Sequence, residues 1–172
     1  RLLQMARTLK SGDPENVEAQ AARRYWPQLM GEEFRRERDA DGVNAMLNYG
    51  YTVLRAAAAR SILAAGLHPS LSVHHESRGD ALRLADDLME PFRPYVDLAV
   101  ARRAERAETE LNKETKAALA AVLTLDLAGP NGARPLQSCL NFLATSLALI
   151  YLGQSRKLDL PDGPLPLSGS AA

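Results

Sequence analysis

Cysteine is almost missing from this chain, with Cys139 standing alone among 172 residues. A single thiol excludes an intramolecular disulfide and any cysteine-rich zinc site, and it fits a reducing cytoplasm. In its setting, PLQSCLNFLATSLALIYL, it reads as a small buried hydrophobe. That run is also the longest apolar stretch, and Gln137, Ser138, Asn141, Thr145 and Ser146 interrupt it. It falls short of the roughly twenty uninterrupted apolar residues of a spanning helix, so a core helix and no membrane partner are expected. Net charge is lacking as well. Twenty-one basic residues offset twenty-one acidic ones, so bulk charge marks out neither a nucleic-acid binder nor a protein of acidic ligands, and only local clusters are informative. A glycine-rich phosphate loop, a GxSxG elbow and an HExxH pair are all absent from the sequence. Nucleotide hydrolysis, acyl transfer and zinc proteolysis therefore lack their required parts.

What is present is mostly helix. The 46% hydrophobic and 24% charged content suits one soluble domain with a sizeable core. Arg1 falls inside the helix-like RLLQMARTLK, with no initiator methionine or signal pattern, so further chain is expected before it. Asp13 followed by Pro14 reads as an N-cap and first helical residue, opening a helix through EAQAARRYW that Pro27 or Gly31 should end. From Val43 to about Ala65, residues Val43, Leu47, Leu54, Ala58 and Ile62 share a face and Gly66 is a natural stop; Asn44, Asn48, Tyr51 and Arg55 line another side. A loop with three histidines follows, and then Asp80 caps a helix with the stripe Ala81, Leu84, Ala85, Leu88 and Phe92. Pro91 and Pro94 should interrupt this helix just after Glu90. Further helices are expected over Tyr95–Glu110, Lys113 to about Leu125, and Leu136–Leu152. The expected fold is all-α, an irregular multi-helix domain over residues 1–161 with at most a short hairpin around Leu123–Arg134. A disordered Pro/Gly/Ser-rich tail occupies 162–172.

Chemistry concentrates in HHESRGDALRLADDLMEP, which is read together with Glu18 far upstream. Oxygen ligands suit Mg²⁺ and Mn²⁺, and one imidazole among carboxylates tilts the preference to Mn²⁺. Asp87 and Glu90 are three residues apart and Asp86 and Glu90 four apart, so either pair can share an ion. Spacing alone leaves His74 and His75 both open, and the plain alternative is a solvated acidic face with exposed histidines. For Tyr25, Trp26, Tyr49 and Tyr51 amphipathic packing is the favoured reading. A tyrosine nucleophile at Tyr49, Tyr51 or Tyr151 is the competing chemistry.

Taken in order, EAQAARRYW, NAMLNYGY, HHES and DDLMEPFRP, with the closing SCLNFLATSLALIYLGQSRKLDLP, resemble the C-terminal catalytic domain of the CRISPR-associated integrase family, most closely its type II members. The resemblance runs from about Asp13 to Pro161. It implies that Glu18, His75 and Glu90 are both the catalytic residues and the ligands of Mn²⁺ or Mg²⁺. It further implies that Asp87 belongs to the same acidic patch, and that Asn48, Tyr49, Arg78 and Arg93 support the site or touch the DNA backbone. The implied reaction is attack by a protospacer 3′-hydroxyl on a phosphodiester at the CRISPR repeat boundary, in the cytoplasm. The implied partners are double-stranded DNA and a small adaptation protein, with a homodimer built by an N-terminal β domain missing from this chain. Arg23, Arg24, Arg35, Arg36, Arg38, Arg78 and Arg93 are the candidates for gripping phosphates. Two alternatives are a helical DNA-holding or protein-interaction module without chemistry, and a metal-dependent nuclease of the same lineage with no part in spacer capture.

Overall fold

A computed structural model describes residues 2–8, 13–73, 81–129 and 132–164. Seven helices dominate it: α1 (Leu2–Thr8), α2 (Val17–Met30), α3 (Val43–Ala64), α4 (Arg83–Met89), α5 (Arg93–Ala104), α6 (Lys113–Ala120) and α7 (Leu136–Tyr151). Three short strands, β1 (Asp126–Ala128), β2 (Arg134–Pro135) and β3 (Gly163–Pro164), form an antiparallel sheet in the order β2-β1-β3. The fold is thus all-α with a short hairpin at its edge, as the periodicity predicts.

The long helix α3 is the axis on which α4, α5, α6 and α7 all pack. Its apolar positions Met46, Leu47, Leu54, Ala57, Ala58 and Ile62 are essentially inaccessible to solvent. They meet Leu84, Phe92, Val96, Val100, Leu119, Leu136, Leu140 and Leu147 from the surrounding elements in one continuous core. Gly66, at φ 76°, ends α3 where the pattern expects a stop.

Several boundaries differ from the sequence reading for identifiable reasons. Helix α2 begins at Val17 with Asn16, not Asp13, at its N-cap, because Pro14 and Glu15 form a turn; Asp13 reaches back across that turn, its two carboxylate oxygens accepting the Val17 and Glu18 N–H groups at 2.7 and 3.0 Å. Pro27 does not end α2, whose last turn carries Met30 onto the core, and Gly31 at φ 95° does. Pro91 and Pro94 reshape the chain after α4 into a single 3₁₀ turn, Glu90–Phe92, before α5. Pro94 then sits in the first turn of α5, where a missing N–H costs nothing. Helix α5 stops at Ala104 instead of Glu110, since Ala107 adopts φ 59° and the Glu108 N–H turns back to the Arg103 carbonyl. Ala81 is exposed and takes no part in the apolar stripe of α4. The expected cap of that helix, Asp80, lies outside the described residues.

The tail does not begin at 162. The Asp162 N–H donates to the Ala128 carbonyl, and Gly163 and Pro164 pair with Ala128 and Leu127. Residues 165–172 lie outside the described residues.

Gly50 sets the spacing of α3 and α5. A Cβ at this position would fall on Cγ1 of Val96, a β-branched side chain with little rotamer freedom. Gly50→Ala is therefore expected to lower stability by about 1–3 kcal/mol in urea denaturation, although alanine is the better helix former. Adding Val96→Ala should recover much of that loss.

Candidate functional site

Beside the α3–α5 contact the core turns polar. Asp97 of α5 is only 3% exposed, yet it carries a carboxylate. Tyr25 of α2 donates its hydroxyl to Oδ2 at 2.8 Å, and Tyr51 of α3 donates to Oδ1. The Arg93 guanidinium lies over the Tyr51 ring, 4.4 Å from its centroid, and donates to Glu90 Oε1 at 2.7 Å. A continuous chain of contacts thus runs from Tyr25 through Asp97, Tyr51 and Arg93 to Glu90, joining three helices. Arg36 approaches the same Tyr51 ring at 5.7 Å and donates to Asn44 Oδ1 at 2.9 Å and to Asn48 Oδ1 at 2.6 Å.

Ionisation follows this geometry. Burial pushes the Asp97 carboxyl above its ordinary 3.8, against the opposing pull of the two tyrosine hydroxyls, Arg93 and Arg36. Burial first, and Asp97 second, lift both tyrosine hydroxyls well above their usual 10. Burial would lower the Arg93 guanidinium, but Glu90 and Tyr51 outweigh it and hold it above its ordinary value. For Arg36 desolvation prevails and the shift is downward. A phenol whose proton is held this firmly by a carboxylate makes a poor nucleophile near neutrality, which sets Tyr51 aside for that role.

The three carboxylates near the end of α4 have different partners. Asp86 takes a bidentate pair from Arg55 of α3, at 2.7 and 2.8 Å. Asp87 Oδ2 accepts the Val73 N–H at 2.7 Å, pinning the chain two residues ahead of His75 to α4. Glu90 keeps nearly half its side chain exposed beside Arg93, with 46% accessible. Glu18 is exposed on the first turn of α2, seven residues before Tyr25, as Glu90 is seven before Asp97. His75 and Arg78 lie outside the described residues, as does His74. Among the described residues no three His, Cys, Asp or Glu side chains come together as a cation site.

Of the expected supporting residues, Asn48 and Arg93 belong to this region. Asn48 braces the loop before α3, donating to the Arg38 carbonyl at 2.6 Å while it holds Arg36. Tyr49 does not join the network. Two residues from Tyr51, it points about 200° around the helix and has Lys116 of α6 over its ring at 6.0 Å. Arg23, Arg35 and Arg36 line an 810 Å³ cleft with Trp26 and Phe34. Asp97 itself has no role in the sequence reading, and Tyr25 and Tyr51 appear there chiefly as packing residues. The available signal was an acid four residues after Arg93 and next to Val96, inside the buried stripe Phe92, Val96 and Val100.

Comparison with known proteins agrees with this architecture. The helical fold is shared with a casposase bound to integration product, at a TM-score of 0.76 and 25% identity, covering 92% of this chain and 53% of that one. The family described as CRISPR associated protein Cas1 matches residues 4–126, and the chain belongs to that family. A CRISPR-associated endonuclease Cas1 of Neisseria meningitidis is 49% identical over 100 residues, which are 58% of this chain and 33% of that protein. One from Pyrobaculum aerophilum is 39% identical over 138 residues, 77% of this chain and 46% of that protein. The chain spans a third to a half of the length of these relatives. Among the described residues no helix is long and apolar enough to cross a membrane.

The buried carboxyl carries a signed prediction. Native Asp97 holds its proton more tightly than the unfolded chain does. Its contribution to stability therefore falls as pH rises from the ordinary carboxylate value through the raised one, and is flat on either side. Asp97→Asn cannot ionise and should lack that slope. Urea denaturation at a series of values from roughly pH 3 to pH 8 is expected to show the stability advantage of wild type over the variant shrinking across that window.

Proposed function

We propose that this chain is the helical catalytic domain of a divalent-metal-dependent DNA integrase and endonuclease that inserts protospacer DNA into a CRISPR array. Glu18, His75 and Glu90 are the residues that hold the cation in this reading. The observation that carries it is the unequal fate of the carboxylates near the end of α4. Asp86 is tied to Arg55 of α3 and Asp87 to the Val73 N–H, while Glu90 pairs with Arg93 three residues on and keeps 46% of its side chain exposed, in a chain that belongs to the Cas1 family. Two carboxylates and an imidazole form a donor set suited to Mn²⁺ or Mg²⁺. A cation held there would supply charge neutralisation at a scissile phosphodiester, where a DNA 3′-hydroxyl displaces the 3′-oxygen of the cleaved strand in line.

The chain's own residues do the positioning. Asp87 holds the start of the histidine-bearing loop against α4. Arg93, with its planar fork stacked on Tyr51, is placed to hand a donor from Glu90 to a phosphate oxygen once Glu90 is occupied. Asn48 keeps the Arg36–Arg38 loop in place, and exposed Arg23, Arg24, Arg35 and Arg38 offer phosphate contacts that carry no sequence information. Arg78 is a further phosphate contact in this reading. Tyr49 keeps at most a supporting role, through its place on α3. The partners are double-stranded DNA, as protospacer and repeat, a small adaptation protein, and a second copy joined through an N-terminal domain.

Replacing His75 or Glu90 by alanine in the full-length protein is expected to abolish strand transfer in Mn²⁺ while leaving the helical circular dichroism unchanged. Wild-type activity in both variants overturns the reading. The products separate it from a nuclease of the same lineage, because hydroxyl attack leaves joined strands and water attack leaves only cleaved ones.

A further inference from the structure

A buried carboxylate is an expensive way to join helices, since an apolar side chain of similar volume commonly gives equal or greater stability. What Asp97 supplies beyond stability is direction. Its two oxygens take hydroxyls from two different helices, Tyr25 of α2 and Tyr51 of α3, while its own backbone belongs to α5. Tyr51 in turn lies beneath Arg93, which holds Glu90. Glu18 lies seven residues before Tyr25 along α2, and Glu90 seven before Asp97. Two helical turns amount to a lever of about 10 Å on α2, which carries any shift at the Tyr25–Asp97 joint toward Glu18.

We infer that Asp97 is a positioning residue for the cation site: by holding Tyr25 and Tyr51 on opposite carboxylate oxygens, it sets the Glu18-bearing helix against the Glu90-bearing turn at the head of α5. This rests on the reading of Glu18 and Glu90 as ligands. Cation ligands tolerate only a few tenths of an ångström in bond length, so a joint that merely keeps the helices packed leaves the ligand distance loosely set. Neither tyrosine needs to touch DNA or metal for this, and Asp97 is sealed from both by its burial.

The experiment is a calorimetric titration of the full-length protein with Mn²⁺ alone, alongside strand-transfer kinetics that resolve kcat from KM for DNA. Tyr25→Phe, which deletes one hydroxyl from the α2–α5 joint, and Asp97→Asn are compared with Glu18→Gln and Glu90→Gln. Both joint variants are expected to keep cooperative unfolding and DNA affinity in chelator, to bind Mn²⁺ about 10- to 100-fold more weakly, and to recover kcat at saturating Mn²⁺. If Asp97→Asn does not fold, Tyr25→Phe decides alone. A folded Tyr25→Phe protein whose Mn²⁺ affinity stays within about twofold of wild type overturns the inference, provided Glu18→Gln and Glu90→Gln lose binding. Should those two also bind Mn²⁺ like wild type, the ligand reading fails and takes this inference with it.

Discussion

One carboxylate shared between two phenols organises this domain. Removing a charge-bearing group from water costs several kcal/mol unless its acceptor sites are filled, and Asp97 fills them with hydroxyls from helices that are distant in sequence. Separations of 72 and 46 residues are closed by these two bonds. Because the acceptor sits on α5 directly beside Val96, which presses on Gly50, the polar joint and the tight helix crossing share one location. Neither can shift without the other. The network continues outward from there, through the Tyr51 ring to Arg93 and so to the half-exposed carboxylate of Glu90 with which Arg93 pairs.

Charges elsewhere in the region are arranged so that few are left to compete. Arg55 occupies Asp86, the Val73 N–H engages Asp87, and Arg36 is committed to two asparagines of α3. An acidic helix that looks uniformly solvated as a string of letters is thus sorted by its neighbours into a brace, a loop anchor and an accessible ligand candidate.

Much of the fold was legible because α3 and α7 carry strong apolar periodicity and end at unambiguous stops; the hairpin announced itself through its turn residues. The boundaries that were misread lie where proline has two meanings. Pro14 belongs to a turn, Pro27 rides inside a helix held down by its neighbours, and Pro94 starts a helix instead of delaying one. Of the residues now seen in the polar network, Glu90 and Arg93 stood out in the sequence as part of an ordered motif, and Asn48 as a polar residue on an otherwise apolar helix. Asp97 was not, because its meaning depends on hydroxyls 46 and 72 residues away, and no local spacing encodes which tyrosine of Tyr49 and Tyr51 turns inward. That choice is made by α5 and α6 packing on either side of α3.

The small sheet at the far edge of the domain has a consequence for solubility. Its outer strands each contain a proline, Pro135 opposite Asp126 on one flank and Pro164 opposite Leu127 on the other. Proline offers no N–H to an incoming strand, so among the described residues both outer strands of the ribbon are poor templates for another chain. Without β3, the backbone of β1 from Leu127 to Ala128 would become an open margin beside a fully buried leucine. Gly163 and Pro164 therefore cover that margin with two residues of backbone.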